Sequence, residues 1–99
     1  MTQEEIKMLE NRNFKRTRLD NTWQRNFKSE KGVLNVLVFK DSSWGYMIRI
    51  VFSDGFRDIA IKKRFDTLEE CLSKLKSDAY EPVEAYDNEL LDYLRNNIQ

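Results

Sequence analysis

The sequence predicts an α+β fold: a three- or four-stranded antiparallel meander packed by one helix, with a short N-terminal helix and an acidic amphipathic C-terminal helix. Three observations carry this reading. Residues 33–40, 44–52 and 56–65 are rich in β-branched and aromatic side chains and are separated by the turn formers Asp41-Ser42-Ser43 and Ser53-Asp54-Gly55. Directly after them Thr67 and Glu70 have capping-box spacing, and Leu68, Cys71, Leu72, Leu75 and Ala79 recur every three or four residues. Beyond Pro82, which suits the first turn of a new helix, Val83, Tyr86, Leu90, Leu94 and Ile98 repeat that spacing.

The 99 residues, 40% hydrophobic and 34% charged, allow one domain with a modest core. Within the single domain 1–99, residues 1–31 form a basic N-terminal helix and arm, 32–65 the sheet, 66–79 the packing helix and 82–98 the acidic terminal helix. Thr2 with Glu5 is a capping box, so a short helix runs from Thr2 to about Asn11, with Ile6 and Leu9 on one side. Residues 22–28 are a candidate edge strand, because Trp23 and Phe27 share a face and the intervening charges resist pairing with other chains.

Alternation sets the expected register. With a four-residue loop at 53–56, Ile50 faces Ile59, Ile48 faces Ile61, Tyr46 faces Lys63 and Trp44 faces Phe65. Leu34, Val36 and Val38 continue that apolar face, which the helix after Thr67 covers. The opposite face mixes Val33, Leu37, Phe39, Met47 and Val51 with Asn35, Arg49, Asp58, Ala60, Lys62 and Arg64. Either the terminal helix covers its apolar part or the face is free to bind.

Composition excludes much chemistry. Histidine is absent and Cys71 is the only cysteine, which removes disulfides, Cys/His zinc sites and every histidine-based general base. Cys71 lies on the helical apolar stripe, where a small core residue is expected. Three glycines cannot build a phosphate loop, and position twelve from Asp41 is Phe52 where a calcium loop needs Glu. A carboxylate magnesium site would need convergence among Asp54, Asp58, Asp66 or Glu69, yet Asp58 falls on the face opposite the packing helix. The expectation is a protein that is not an enzyme, with no catalytic residues, no metal and no cofactor. The charged N-terminus lacks a signal-peptide core and no apolar run approaches membrane-spanning length. A soluble, cytoplasmic protein with no membrane association is therefore expected.

Charge balances in total, seventeen basic against seventeen acidic side chains, but not in position. Residues 12–31 carry seven basic and two acidic side chains, whereas 78–92 carry six acidic and none basic. These blocks either attract each other within the fold or serve as docking surfaces. The primary functional expectation is a regulatory interaction protein that binds a protein partner through the acidic, tyrosine-bearing C-terminal helix. Its candidate contacts are Tyr86, Asp87, Glu89, Asp92 and Tyr93, and its partner is a basic surface such as that of a nucleic-acid-handling protein. Homodimerisation through the same helix is a further expectation. The alternative is a nucleic-acid-binding module that uses Arg16 and Arg18 of the basic arm with Arg49, Arg57, Lys62 and Arg64 of the mixed sheet face.

The run Lys63-Arg64-Phe65-Asp66-Thr67-Leu68-Glu69-Glu70-Cys71, which leads from a strand into a helix, resembles the three-stranded DNA-binding domains of the integrase arm-binding type over residues 33–76. That resemblance implies that Arg49, Arg57 and Lys62 enter a major groove from one sheet face. The sequence departs from the pattern in its first strand, where 33–39 has no basic residue. The helix–strands–helix order also resembles a double-stranded-RNA-binding domain, with Asp66, Glu69 and Glu70 where that family is basic.

Overall fold

Local signals fix the helix starts. The structure, a computed structural model, describes residues 1–41, 43, 45–76 and 80–98; Ser42, Trp44, Asp78 and Ala79 of the sequence reading lie outside them. Helix α1 (Gln3–Asn11) begins on the expected capping box: the Thr2 hydroxyl accepts from the Glu5 N–H, and the Glu5 carboxylate accepts from the Thr2 N–H. Helix α2 (Leu68–Ser73) starts where the Thr67 hydroxyl accepts from the Glu70 N–H, and it tightens into a 3-10 turn at Lys74–Lys76. Helix α3 (Asn88–Asn97) follows a 3-10 turn at Ala85–Asp87.

The terminal helix is therefore shorter than expected. Pro82 does not open it: residues 81–83 pair with 59–61, with Ala60 opposite Pro82 in an antiparallel bridge. Val83 and Tyr86 leave the expected apolar stripe and are exposed, and the buried stripe is Leu90, Leu91, Leu94 and Ile98. The sheet edge satisfies the Val83 N–H, and that pairing competes with a helical turn there.

Six strands form an antiparallel sheet: β1 (Lys15–Arg16), β2 (Thr22–Ser29), β3 (Gly32–Asp41), β4 (Gly45–Phe52), β5 (Arg57–Asp58) and β6 (Lys63–Phe65). Their order is β1-β2-β3-β4, with β5 and β6 both on the far side of β4. The segment read as an edge strand is thus flanked by β1, and Trp23 and Phe27 are both buried on one face as expected. The loop 53–56 has the expected length, since Phe52 opposes Arg57 and the Ile59 N–H donates to the Ile50 carbonyl at 3.0 Å. Farther along, the register slips by two: Ile48 opposes Lys63 and Tyr46 opposes Phe65. The cause is a detour toward the C-terminal connection. The Ile61 N–H donates to the Glu81 carbonyl at 2.8 Å, and the Val83 N–H donates to the Ile59 carbonyl at 3.2 Å. An even slip keeps Phe65 on the core face but moves Ile61 out of it, to 51% exposure.

Gly45 opens β4 at φ +91°, and a Cβ there would sit 2.7 Å from the Phe65 carbonyl oxygen, so both conformation and space require glycine.

The core lies on one side of this sheet. Leu34, Val36, Val38, Tyr46, Ile48, Ile50, Trp23 and Phe27 join Leu9 of α1, Leu68, Cys71 and Leu72 of α2, Leu90, Leu91 and Leu94 of α3, and Ile98 just beyond α3 in one buried cluster. All three helices draw on the same face. The terminal helix consequently does not cover the mixed face, and Val33, Leu37, Phe39 and Met47 stay half-buried outside that cluster.

Candidate functional site

Strand pairing lays out the uncovered face in rows. Lys15, Gln24, Leu37 and Arg49 stand opposite one another across β1 to β4. The next row runs Asn26, Asn35, Val51 and Asp58, and on the other side Thr22, Phe39, Met47 and Arg64 align. An apolar centre of Leu37, Phe39, Met47 and Val51 is thereby bordered by the amides of Gln24, Asn26 and Asn35 and by charged groups. Arg49 Nε donates to Asp58 Oδ1 at 2.6 Å and its Nη2 to Oδ2 at 3.4 Å, a side-on pair that holds Arg49 flat on the face. Arg64 Nη2 donates to Asp66 Oδ1 at 3.3 Å. Gln24, Asn35, Leu37, Arg49, Val51 and Phe56 line a groove of about 210 Å³ in this surface.

The C-terminal segment looks different from its sequence. Asp87 has no exposed side-chain surface: its Oδ1 accepts from Arg57 Nη1 at 2.7 Å, and Oδ2 is buried with no hydrogen-bond partner among the described residues. Arg57 also donates from Nε to Asp54 at 3.1 Å and stands 5.4 Å over both the Phe52 and Tyr86 rings. Hydrogen bonds to Asp87 and then Asp54 push the Arg57 guanidinium above its usual range. Glu89 pairs with Lys31 at 2.7 Å, which links the acidic block to the basic one, and Asp92 pairs with Arg95 at 2.7 Å. The Tyr93 hydroxyl donates to the Lys28 carbonyl. Of the five candidate contacts, Tyr86 is 68% exposed with its ring under Arg57, and Glu89 and Asp92 are exposed but ion-paired.

The six candidate cations do not form one surface. Arg49 and Arg64 lie on the uncovered face, whereas Arg57 is on the helix side. Arg16 opposes Trp23 and so also belongs to the helix side; Arg18 and Lys62 are exposed outside the strands. The DNA-binding resemblance implied Arg49, Arg57 and Lys62 acting from one sheet face, and the side chains are instead distributed around the sheet. Asp54, Asp58, Asp66 and Glu69 do not converge, and among the described residues no three carboxylate or thiol groups gather as a metal site would need. Cys71 is fully buried, and desolvation, aided by the Glu70 charge, pushes its thiol up to about 12. No described helix is long and apolar enough to cross a membrane.

Sequence reasoning missed two features of this site. Phe56 is 75% exposed at φ +59°, and Asp87 is buried rather than surface-borne. A hydrophobic residue following Asp54-Gly55 in a turn was the available signal for the first. Nothing local marks the second, because its partner Arg57 is thirty residues away. Comparisons with protein-family models, curated proteins and solved structures found no match to this chain.

Proposed function

We propose that this chain is a small interaction protein without catalysis of its own, and that it docks a protein partner on the uncovered face of the sheet. The observation that carries the reading is the arrangement of that face: an apolar centre of half-buried Leu37, Phe39 and Met47 around buried Val51, with amide and charged borders and none of the three helices packed on it. Apolar centre and polar rim are the usual anatomy of a protein interface. The border holds Lys15, Lys28, Arg49 and Arg64 against Asp41, Asp58 and Asp66, a net charge of +1 with Lys15 and Lys28 on the β1–β2 side, so the fitting partner offers apolar side chains with acidic neighbours there. Four aliphatic or thioether side chains in this region, Val33, Leu37, Met47 and Val51, outnumber the aromatic Phe39 and favour protein over stacked bases.

A second surface is the acidic C-terminal segment, favoured by exposed Tyr86 between Glu84 and Glu89. Its acids Glu89 and Asp92 already have cationic partners, so docking there exchanges existing pairs. The nucleic-acid alternative loses support from the carboxylates that engage Arg49, Arg57 and Arg64.

The test immobilises the full chain, a Leu37→Glu/Met47→Glu variant and a Glu89→Lys/Asp92→Lys variant, each checked for folding by circular dichroism. Nuclease-treated native extract is passed over all three. Proteins held by the parent and the helix variant but lost from the sheet variant support the proposal. Equal retention by the sheet variant contradicts it.

A further inference from the structure

Phenylalanine is an unusual residue for position 56. Its φ of +59° is in the left-handed region, where glycine or asparagine is at ease and a bulky L-residue is strained. Strain of that kind is normally offset by burial, yet the ring is 75% exposed. A polar turn residue in the same place would relieve the backbone and remove apolar surface from water. The ring's position supplies the missing reason. It lines a groove together with the apolar Leu37 and Val51 and the polar Gln24, Asn35 and Arg49. An exposed aromatic beside apolar side chains is the composition of an interface anchor point, where a few rings carry most of the binding free energy.

We infer that Phe56 and this groove form an anchor site that takes one apolar side chain from a protein segment carrying an acidic residue next to it. The volume of about 210 Å³ accommodates a single leucine- or phenylalanine-sized group and not a folded element. The adjoining charge selects the neighbour: Lys15 ends the row that contains Gln24, Leu37 and Arg49, and Lys28 lies two residues beyond Asn26 along β2. Asp58 already engages Arg49, so the incoming carboxylate meets the lysines at the β1–β2 side of the face. A second copy apposing this same face would bring an equally cationic surface and is disfavoured. The inference rests on the sheet-face reading above and narrows it to one residue and one kind of ligand.

The test uses the full chain and a displayed library of random twelve-residue peptides. Enriched sequences are expected to pair an apolar residue with an adjacent Asp or Glu. A synthetic peptide of the most enriched sequence should bind roughly tenfold or more weakly to Phe56→Asn. The same variant should melt higher by about 4 °C, because asparagine relieves the left-handed strain. This opposition of sign separates an anchor from a structural residue, whose loss lowers both. Leu37→Glu should abolish peptide binding.

If Phe56→Asn binds normally while Leu37→Glu does not, the sheet-face reading stands and the Phe56 anchor is overturned. If both bind normally, both fall. Enrichment of basic peptides, absence of any enriched binder, or a lower melting temperature for Phe56→Asn also overturns the anchor. So does a single-stranded oligonucleotide, or a concentration-dependent dimer in sedimentation, whose binding alone depends on Phe56.

Discussion

Asp87 shows how much a single side chain's meaning depends on a distant partner. A carboxylate with no exposed surface is tolerable because Arg57, one-third exposed, reaches it from the β4–β5 turn. Removing one member of such a pair leaves a buried charge uncompensated, which costs far more than the pair contributes. Arg57→Met is therefore expected to destabilise the fold by about 3 kcal/mol, measured by urea denaturation. Adding Asp87→Asn should recover much of that loss, a non-additivity expected of groups in direct contact. Cys71 gives the pH prediction. Its thiol titrates near 9 when unfolded and near 12 when folded, so above pH 9 the unfolded chain binds fewer protons than the folded one. Stability should fall as pH rises from about 9 toward about 12, and burial of the Tyr80 phenol acts in the same direction. Cys71→Ala should flatten that decline relative to the parent. At pH 8 a thiol reagent should leave the native protein unlabelled and modify it only in denaturant.

At the level of elements, what was legible was what neighbours in sequence decide. The capping box of Thr2 and Glu5 and the cap at Thr67 are local hydrogen bonds, and both helices start on them. Alternation likewise placed Leu34, Val36, Val38, Ile48 and Ile50 on one buried face. The two-residue slip before β6 was not legible, because it depends on residues 81–83 returning to pair with 59–61. The same return deprived the terminal helix of its first turn and exposed Ile61. Alternation also identified the mixed face without saying what covers it, since coverage is decided by where helices dock. Thr2→Ala should cost about 1 kcal/mol and fray α1. Gly45→Ala is the harsher change: its Cβ meets the Phe65 backbone oxygen, which cannot rotate away, at a φ that alanine resists. A loss of roughly 2–3 kcal/mol is expected in chemical denaturation, with the β4–β6 pairing the first to exchange amide hydrogens.

The whole molecule is a two-layer domain with its helices on one side. That asymmetry, and not the charge blocks that dominate the sequence, leaves one sheet face without a packed helix. The acidic and basic blocks meet within the fold at Lys31 and Glu89 and are partly spent there. Salt should accordingly affect the docking rate more than the affinity, because the centre of the proposed interface is apolar and its charges lie at the border. Site-specific photo-crosslinking examines the claim most directly. A benzophenone side chain is placed at position 37 in the middle of the sheet face in one sample and at position 86 beside helix α3 in another. Both are irradiated with native extract, with and without excess unlabelled chain as competitor. A competed protein adduct is expected from position 37 and none from position 86. Adducts formed only from position 86, or to nucleic acid from position 37, would contradict it.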